Sequence, residues 1–359
     1  MNAIFNQALM ATGGRLELSA LRPYVNNHGQ AFVSVPTGEF KVIKNEKTGR
    51  STPRPIYRPV AVHNALLRRY EWEQIDAAVL DVVRAPNVAL NDFLRLGLTQ
   101  PLDGLGVIVS TYEQLGDLTA ANVSMEGIVR GDQDRSTFTP QSIPVPLIHK
   151  DFSMSLRQLE ASRRQGGETL DTTTARTATR KVQDKVDDII FNGHTIAVGD
   201  TGQIYGLTNK PQRLQKTSAD CGGGDFGTAG NFYKTLNGAI AFLRELGYYG
   251  RYGVYVSTNQ YAQTNTLVTG TAVSERTAGM DQLPEVAFIN QAHKLADGEM
   301  IVFQLSTDVA DLAIAQDVTP VQWEGLGGFQ IEFRVFSALT IRVKHDANGN
   351  CGVIHVTGC

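Results

Sequence analysis

Apolar and polar positions change period several times along the chain, and each change marks an element. After His63, Trp72, Ile75, Val79 and Val83 recur at steps of three and four, with Glu71, Glu73 and Arg84 elsewhere around the cylinder. That spacing predicts a helix ending near Pro86. Ala175, Ala178, Val182, Val186 and Ile189 repeat the step over a longer run, from the capping residues Asp171 and Thr172 to a stop at Asn192-Gly193. About 20 residues at 1.5 Å each make a rod on the order of 30 Å long. Phe232, Leu236, Ile240 and Leu243 predict another helix, closed by Gly247.

Elsewhere the period is two. Residues 118–129 and 136–156 read as strands on either side of the polar turn "RGDQDR". Phe152, Met154 and Leu156 alternate with Asp151, Ser153 and Ser155, which predicts one dry face. Nearer the turn, Pro140, Pro144 and Pro146 cannot donate to a ladder and belong at an edge or off the body. The result is a hairpin reaching outward, which is marginal unless another surface covers it. "YGVYVS" (252–257), "EVAFI" (285–289) and "MIVFQL" (300–305) alternate with helix and predict a compact α/β unit. Phe329, Ile331, Phe333 and Val335, then Leu339, Ile341 and Val343, predict late strands, and "DANGN" an Asn-Gly hairpin turn into "CGVIHV".

Residues 1–62 differ from the rest. Prolines at 23, 36, 53, 55 and 59 interrupt any helix and predict an extended course over a surface. Within it Lys41, Lys44, Lys47, Arg50, Arg54 and Arg58 face only Glu46. A solvated linker accounts for such a run; so does a basic arm that pairs with phosphates or with acidic neighbouring chains.

Composition narrows the classes. With 42% hydrophobic and 19% charged residues the chain reads as globular, and its length admits two domains or one large discontinuous one. There is no apolar run of about 18 residues and no basic start followed by an apolar core, so neither a membrane span nor a signal peptide is predicted. Cys221, Cys351 and Cys359 lack framework spacing and fit a reducing compartment. A net charge of -3 excludes a globally basic nucleic-acid clamp.

Candidate chemistry is thin. In "KVQDKVDDIIFNG" (181–193), Asp187 and Asp188 point about 100° apart on a helix and cannot share a proton. Asp184 and Asp188 share a face, but Arg180, Lys181 and Lys185 keep both ionised, so the stretch reads as a structural beam. "GGGDFG" (222–227) has dinucleotide-loop spacing but follows the polar "QRLQKTSADC" where a strand is needed, and reads as a flexible loop. Cys351, His355 and Cys359 fall roughly 13 Å apart in succession on a strand, whereas ligands must converge within about 2.3 Å of one zinc ion. Only His345 and Cys351 could meet across the turn. Arg130-Gly131-Asp132 is explained by turn chemistry. No catalytic, cofactor or metal residue is assigned.

An outward hairpin, a long beam, an α/β insertion and a return to strands together resemble the Hong Kong 97-type shell fold of tailed-phage major capsid proteins and encapsulins. "EWEQIDAAVLDVVR" (71–84) resembles the first helix of encapsulins, and "IPVPLIHKDFSMSLRQLEASRRQGGETLD" (143–171) their strand leading toward the beam. "KVQDKVDDIIFNG" with "GQIYGLTN", "AIAFLRELGYYGRYGVYVSTNQYA" (239–262) and "FQIEFRVFSALTIRV" are similar to later parts of that family, so roughly 63–359 is covered.

The resemblance implies an α+β shell fold divided as follows: an extended N-terminal arm at 1–62, the first helix and start of a peripheral domain at 63–115, and an extended loop at 116–146. A peripheral domain with the spine helix follows at 147–205, an axial domain at 206–305, and the C-terminal peripheral sheet at 306–359. It implies a homo-oligomer of pentamers and hexamers, an icosahedral virion capsid assembled in the bacterial host cytoplasm, with dsDNA packaged by enclosure. Portal, scaffold or decoration proteins are implied partners; an encapsulin enclosing a protein cargo is the alternative. Arg130, Asp132, Asp134 and Arg135 are then candidate contacts at the loop tip, and the six basic arm residues candidate contacts with DNA or a neighbouring subunit. Compact encapsulins start near the first helix, so the arm is an addition, and no coiled-coil-like scaffold segment is visible within it.

Overall fold

The computed structural model describes residues 23–26, 30–44, 51–61, 67–83, 88–115, 125, 138–164, 172–196, 202–268, 272–324, 330–346 and 348–359. The chain begins with β1 (Pro23–Val25), β2 (Ala31–Lys44) and β3 (Ser51–Ala61), an antiparallel three-stranded sheet in the order β1-β2-β3. The extended course predicted for residues 1–62 is therefore, over this part, a paired ribbon. Tyr24 of β1 packs against the body, and the Val25 N–H bonds the Leu67 carbonyl at 2.8 Å.

Helix α1 (Arg69–Val83) starts six residues later than His63, and buries Trp72, Ile75 and Val79 as the stripe predicts. Helix α2 (Val88–Leu96) is not predicted by the hydrophobic pattern. It buries Ala89, Leu90 and Phe93 beside β4 (Thr99–Pro101).

The hairpin differs from expectation in its first strand. β5 (Val109–Leu115) pairs with β6 (Phe138–Pro144), Val109 opposite Pro144 and Leu115 opposite Phe138. The stem thus starts at Val109, earlier than the predicted boundary at 116. The predicted strand at 118–129, apart from the fully exposed Met125, and the "RGDQDR" turn lie outside the described residues. The predicted strand 136–156 is two strands: after Val145-Pro146 the chain leaves the hairpin and forms β7 (Leu147–Ser155), followed by α3 (Leu156–Arg164). Pro144 and Pro146 explain the break, because neither can continue a ladder.

The beam is α4 (Thr173–Asn192), 20 residues long, with all five stripe residues buried. Thr172 makes no side-chain cap bond, contrary to expectation. The other end closes as predicted: Gly193 takes φ 68, where an added Cβ would lie 2.2 Å from the Ile204 carbonyl oxygen, so only glycine fits. Beyond the short pair β8 (His194–Thr195) and β9 (Gln203–Ile204), Leu207 and Thr208 N–H groups bond the carbonyls of Ile190 and Phe191. Asn209 Nδ2 donates to the Asn192 carbonyl at 2.6 Å, so the last carbonyls of the beam are satisfied.

The middle contains β10 (Leu214–Thr217), α5 (Asn231–Glu245), β11 (Tyr252–Val256), α6 (Thr258–Gln263), α7 (Glu275–Gln282), β12 (Val286–Gln291) and β13 (Glu299–Gln304). The end contains β14 (Ala310–Glu324), β15 (Gln330–Val343) and β16 (Val353–Thr357). One sheet has the order β4-β14-β15-β7 and the other β10-β16-β13-β11-β12. Residues 306–359 do not form one sheet as predicted. The predicted hairpin does not form: Asp346 and Asn350 are hydrogen-bonded to each other, but β16 pairs with β13 and β10 and not with β15. Its fully buried Val353, Ile354 and Val356 fill the core of the second sheet.

One core cluster joins the two sheets through the beam. Phe191 meets Tyr255 edge-on at 5.1 Å, Tyr255 stacks with Phe303 at 5.8 Å, and Phe303 with Phe93 at 5.8 Å. Helix α1 has its own core against β7 and β15, where Trp72, Phe152 and Phe333 touch.

Candidate assembly surfaces

The hairpin stem packs one face on the body through Ser110, Tyr112 and Ile143 and leaves apolar side chains at both of its ends in the open. Ile108 is 67% exposed and Phe138 62%, with Leu105, Val109 and Leu147 exposed nearby. At its foot, a groove of about 490 Å³ runs between the β6–β7 link and the beam, lined by Ile108, Val145, Leu147, Ile189 and Ile196. His149, Lys185 and His194 rim it. The exposed apolar groups at the foot, Ile108 and Leu147 among them, rimmed by polar ones, mark an interaction surface.

What anchors the stem is a buried ion pair. Arg342 on β15 and Asp311 on β14 are 1% and 2% exposed. The guanidinium donates to Asp311 through Nε at 2.7 Å and Nη2 at 2.5 Å, a two-point grip. Its Nη1 donates to Ser110 Oγ on β5 at 3.2 Å, and Nη2 also to Gln100 on β4. Lys344 adds a second cation on Asp311 at 3.0 Å. The sheet and the foot of the hairpin are thus tied by one network in which every guanidinium nitrogen of Arg342 is bonded.

A second anchor joins the beam to α2. Asp187 accepts the Leu90 N–H at 3.4 Å, near the start of α2. Burial pushes the Asp187 carboxyl up to about 6, against that bond and the nearby Lys294, with Asp184 and Asp92 adding to the rise. Asp92 is also raised by burial, although Asn290 Nδ2 at 2.6 Å and the Tyr255 hydroxyl at 3.2 Å donate to it. Asp188 is lowered: its burial is outweighed by bonds from Lys185 and Asn192. The Asp187-Asp188 pair therefore has divergent environments.

The glycine-rich loop is packed, which corrects the reading of it as flexible. Phe226 is fully buried against Phe232, and a Cβ on Gly223 would lie 2.0 Å from Thr235 Oγ1. The N-terminus of α5 is occupied by the buried Glu275 carboxylate, which accepts the N–H groups of Gly230, Phe232 at 3.0 Å and Tyr233 at 3.4 Å. An anion site exists there, and a side chain fills it.

Among the described residues no group of three His, Cys, Asp or Glu side chains converges as metal ligands. Cys351 donates to the Lys344 carbonyl, and burial raises its thiol to about 11. His355 lies beside Glu299 at 3.4 Å. No helix among the described residues is long and apolar enough to cross a membrane. Of the arm residues, Lys41 and Lys44 fall in β2 and Arg54 and Arg58 in β3, with Arg58 exposed; Lys47 and Arg50 lie outside the described residues. Arg130, Asp132, Asp134 and Arg135 also lie outside them.

A long spine helix, two sheets and an outward hairpin define the Hong Kong 97-type shell fold shared by encapsulins and tailed-phage capsid proteins. Within that class the chain belongs to the family of unknown function DUF6260, whose model matches residues 61–356. It is 27% identical over 284 residues to the type 1 encapsulin shell protein EncA of Myxococcus xanthus, covering 78% of this chain and 91% of that one. Among solved structures, the virus-like particle from Pyrococcus furiosus superposes with a TM-score of 0.58 at 15% identity, over 80% of this chain and 99% of that one. The capsid of Myoviridae phage XM1 gives 0.56 at 17% identity, over 74% and 91%. The first of these relatives is named a shell protein and the last a capsid.

Proposed function

We propose that this chain is the subunit of a closed icosahedral shell, a phage major capsid protein whose copies form pentamers and hexamers around a dsDNA genome. The five-stranded sheet with α5 is the axial domain, the four-stranded sheet with the beam and α1 the peripheral domain. The β5–β6 stem is the base of the extended loop. The observation that carries the reading is the exposed apolar side chains at the two ends of the β5–β6 stem. Ile108 and Val109 at the foot and Phe138 at the far end are left open, although Ser110, Tyr112 and Ile143 pack its other face on the body. Each contact between copies buries on the order of 1,600 Å², and many contacts close together, so the particle outlasts any pair. The arm residues Lys41, Lys44, Lys47, Arg50, Arg54 and Arg58 face packaged DNA or acidic neighbours, and Arg130, Asp132, Asp134 and Arg135 meet a neighbour at the loop tip. Assembly takes place in the bacterial cytoplasm, with scaffold, portal or decoration proteins as partners.

A compartment enclosing a protein cargo is the second reading, favoured by the 27% identity to EncA. Purified particles separate the two. Nuclease-protected content absorbing at 260 nm supports the genome, and a co-purifying enzyme supports the cargo.

A further inference from the structure

The β1–β2–β3 ribbon lies almost wholly before the family match, which starts at residue 61. β1 covers only Ala31–Val33 of β2, and among the described residues no other strand pairs with the outer edge of β2 or of β3. Among the described residues β2 and β3 pack extensively only against each other and β1. A bare two-stranded ribbon is marginal in water, and an open edge invites another strand.

The two open edges are not equivalent. In β3, Pro53, Pro55 and Pro59 stand at odd positions, so their nitrogens share one edge. They pair with Val42, Phe40 and Ser34, and a proline nitrogen turned toward β2 would delete ladder bonds, so the three face outward. The outer edge of β3 therefore lacks donors at three positions. By the same register Phe40, Val42 and Lys44 of β2 turn their N–H and C=O groups outward, while Lys41 and Ile43 bond inward to β3. Only Pro36 interrupts that edge, before the irregularity at 36–40.

We propose that the β2 edge from Phe40 to Lys44 receives an extended strand from a second copy of this chain, and that Pro53, Pro55 and Pro59 close the opposite edge so that addition stops at one strand. The inference rests on the shell reading and names the partner of the arm. Charge selects a protein partner over nucleic acid. Six basic residues against one acid give residues 41–58 a charge of +5, so a chain total of -3 leaves -8 on the remainder. A second copy is thus an acidic body that attracts the ribbon, whereas the same body repels DNA.

Amide hydrogen exchange resolved to single residues, on the unassembled chain and on particles, tests the proposal. The amides of Phe40, Val42 and Lys44 are expected to exchange fast in the free chain and at least about tenfold more slowly in particles, with Ile43 protected in both. Val42→Pro removes an edge donor and no ladder donor, and is expected to abolish particles or lower their dissociation midpoint in urea. Equally fast exchange at residues 40, 42 and 44 in particles overturns the proposal, as do Val42→Pro particles of unchanged stability. Protection that appears only when DNA is enclosed also overturns it, in favour of nucleic acid. Absence of particles from the unaltered chain overturns the shell reading itself.

Discussion

Arg342 and Asp311 face each other across β14 and β15 with almost no exposed surface, and the same guanidinium reaches Ser110 at the foot of the hairpin. A long-range grip of this kind fixes the angle at which the stem leaves the body. Removing one partner of a buried pair strands the other charge, which costs on the order of 3–5 kcal/mol. Arg342→Met is therefore expected to lower the urea midpoint sharply. In the double variant Arg342→Met/Asp311→Leu stability should return while particle yield stays low, because Ser110 and Gln100 still lack their donor. Normal yield from the double variant would show that the pair only stabilises the sheet.

Ile108 and Phe138 give the converse case. Exposed apolar side chains contribute little to the fold of one copy, so Ile108→Ser and Phe138→Ser should change unfolding free energy by no more than about 0.5 kcal/mol. Particle formation should nevertheless fail. Sedimentation of both variants beside their denaturation curves checks this, and wild-type particles would remove the stem from the contact.

Asp187 predicts a pH dependence. Its carboxyl holds a proton to about pH 6 in the folded chain, against the ordinary value of 3.8. Folding therefore takes up a proton between these values, and the contribution present below 3.8 is lost as pH rises through about 6. A shift of about two units corresponds to at most about 3 kcal/mol. Asp187→Asn keeps an acceptor for Leu90 and is expected to melt higher than the parent at pH 8, the gap closing toward pH 4. A lower melting temperature at pH 8 would mean that the carboxylate's attraction to the start of α2 outweighs its burial.

Charge reversal in the arm bears on the contents and cohesion of the particle. Lys41→Glu, Lys44→Glu and Lys47→Glu together are expected to reduce genome retention or the melting temperature of the shell, measured by nuclease protection and calorimetry. No change in either would take the basic arm out of the mechanism.

What the sequence made legible follows from where its periods stay regular. The beam was readable because Ala175 to Ile189 keep one step and Gly193 ends it; the middle strands, because β11 has no charged or amide side chain and β13 has the apolar run Met300–Phe303. Helix α2 escaped notice because nine residues after a proline give barely two turns of pattern. β14 was hidden by register shifts between Ile314 and Thr319 and by Pro320, which reads as a breaker yet sits in the strand beyond the reach of β4. β5 has the polar Ser110 buried beside Tyr112, so alternation gave no sign of it. The destination of β16 was invisible, since turn chemistry specifies a reversal and not which sheet receives the next strand. Arg342 lies 31 residues from Asp311 and 232 from Ser110, separations that no local pattern encodes.

The most direct measurement is negative-stain electron microscopy of the purified full-length chain, paired with sedimentation at tens of micromolar. Closed particles of uniform diameter are predicted. A single species of 39.1 kDa that stays monomeric across that range would contradict the account.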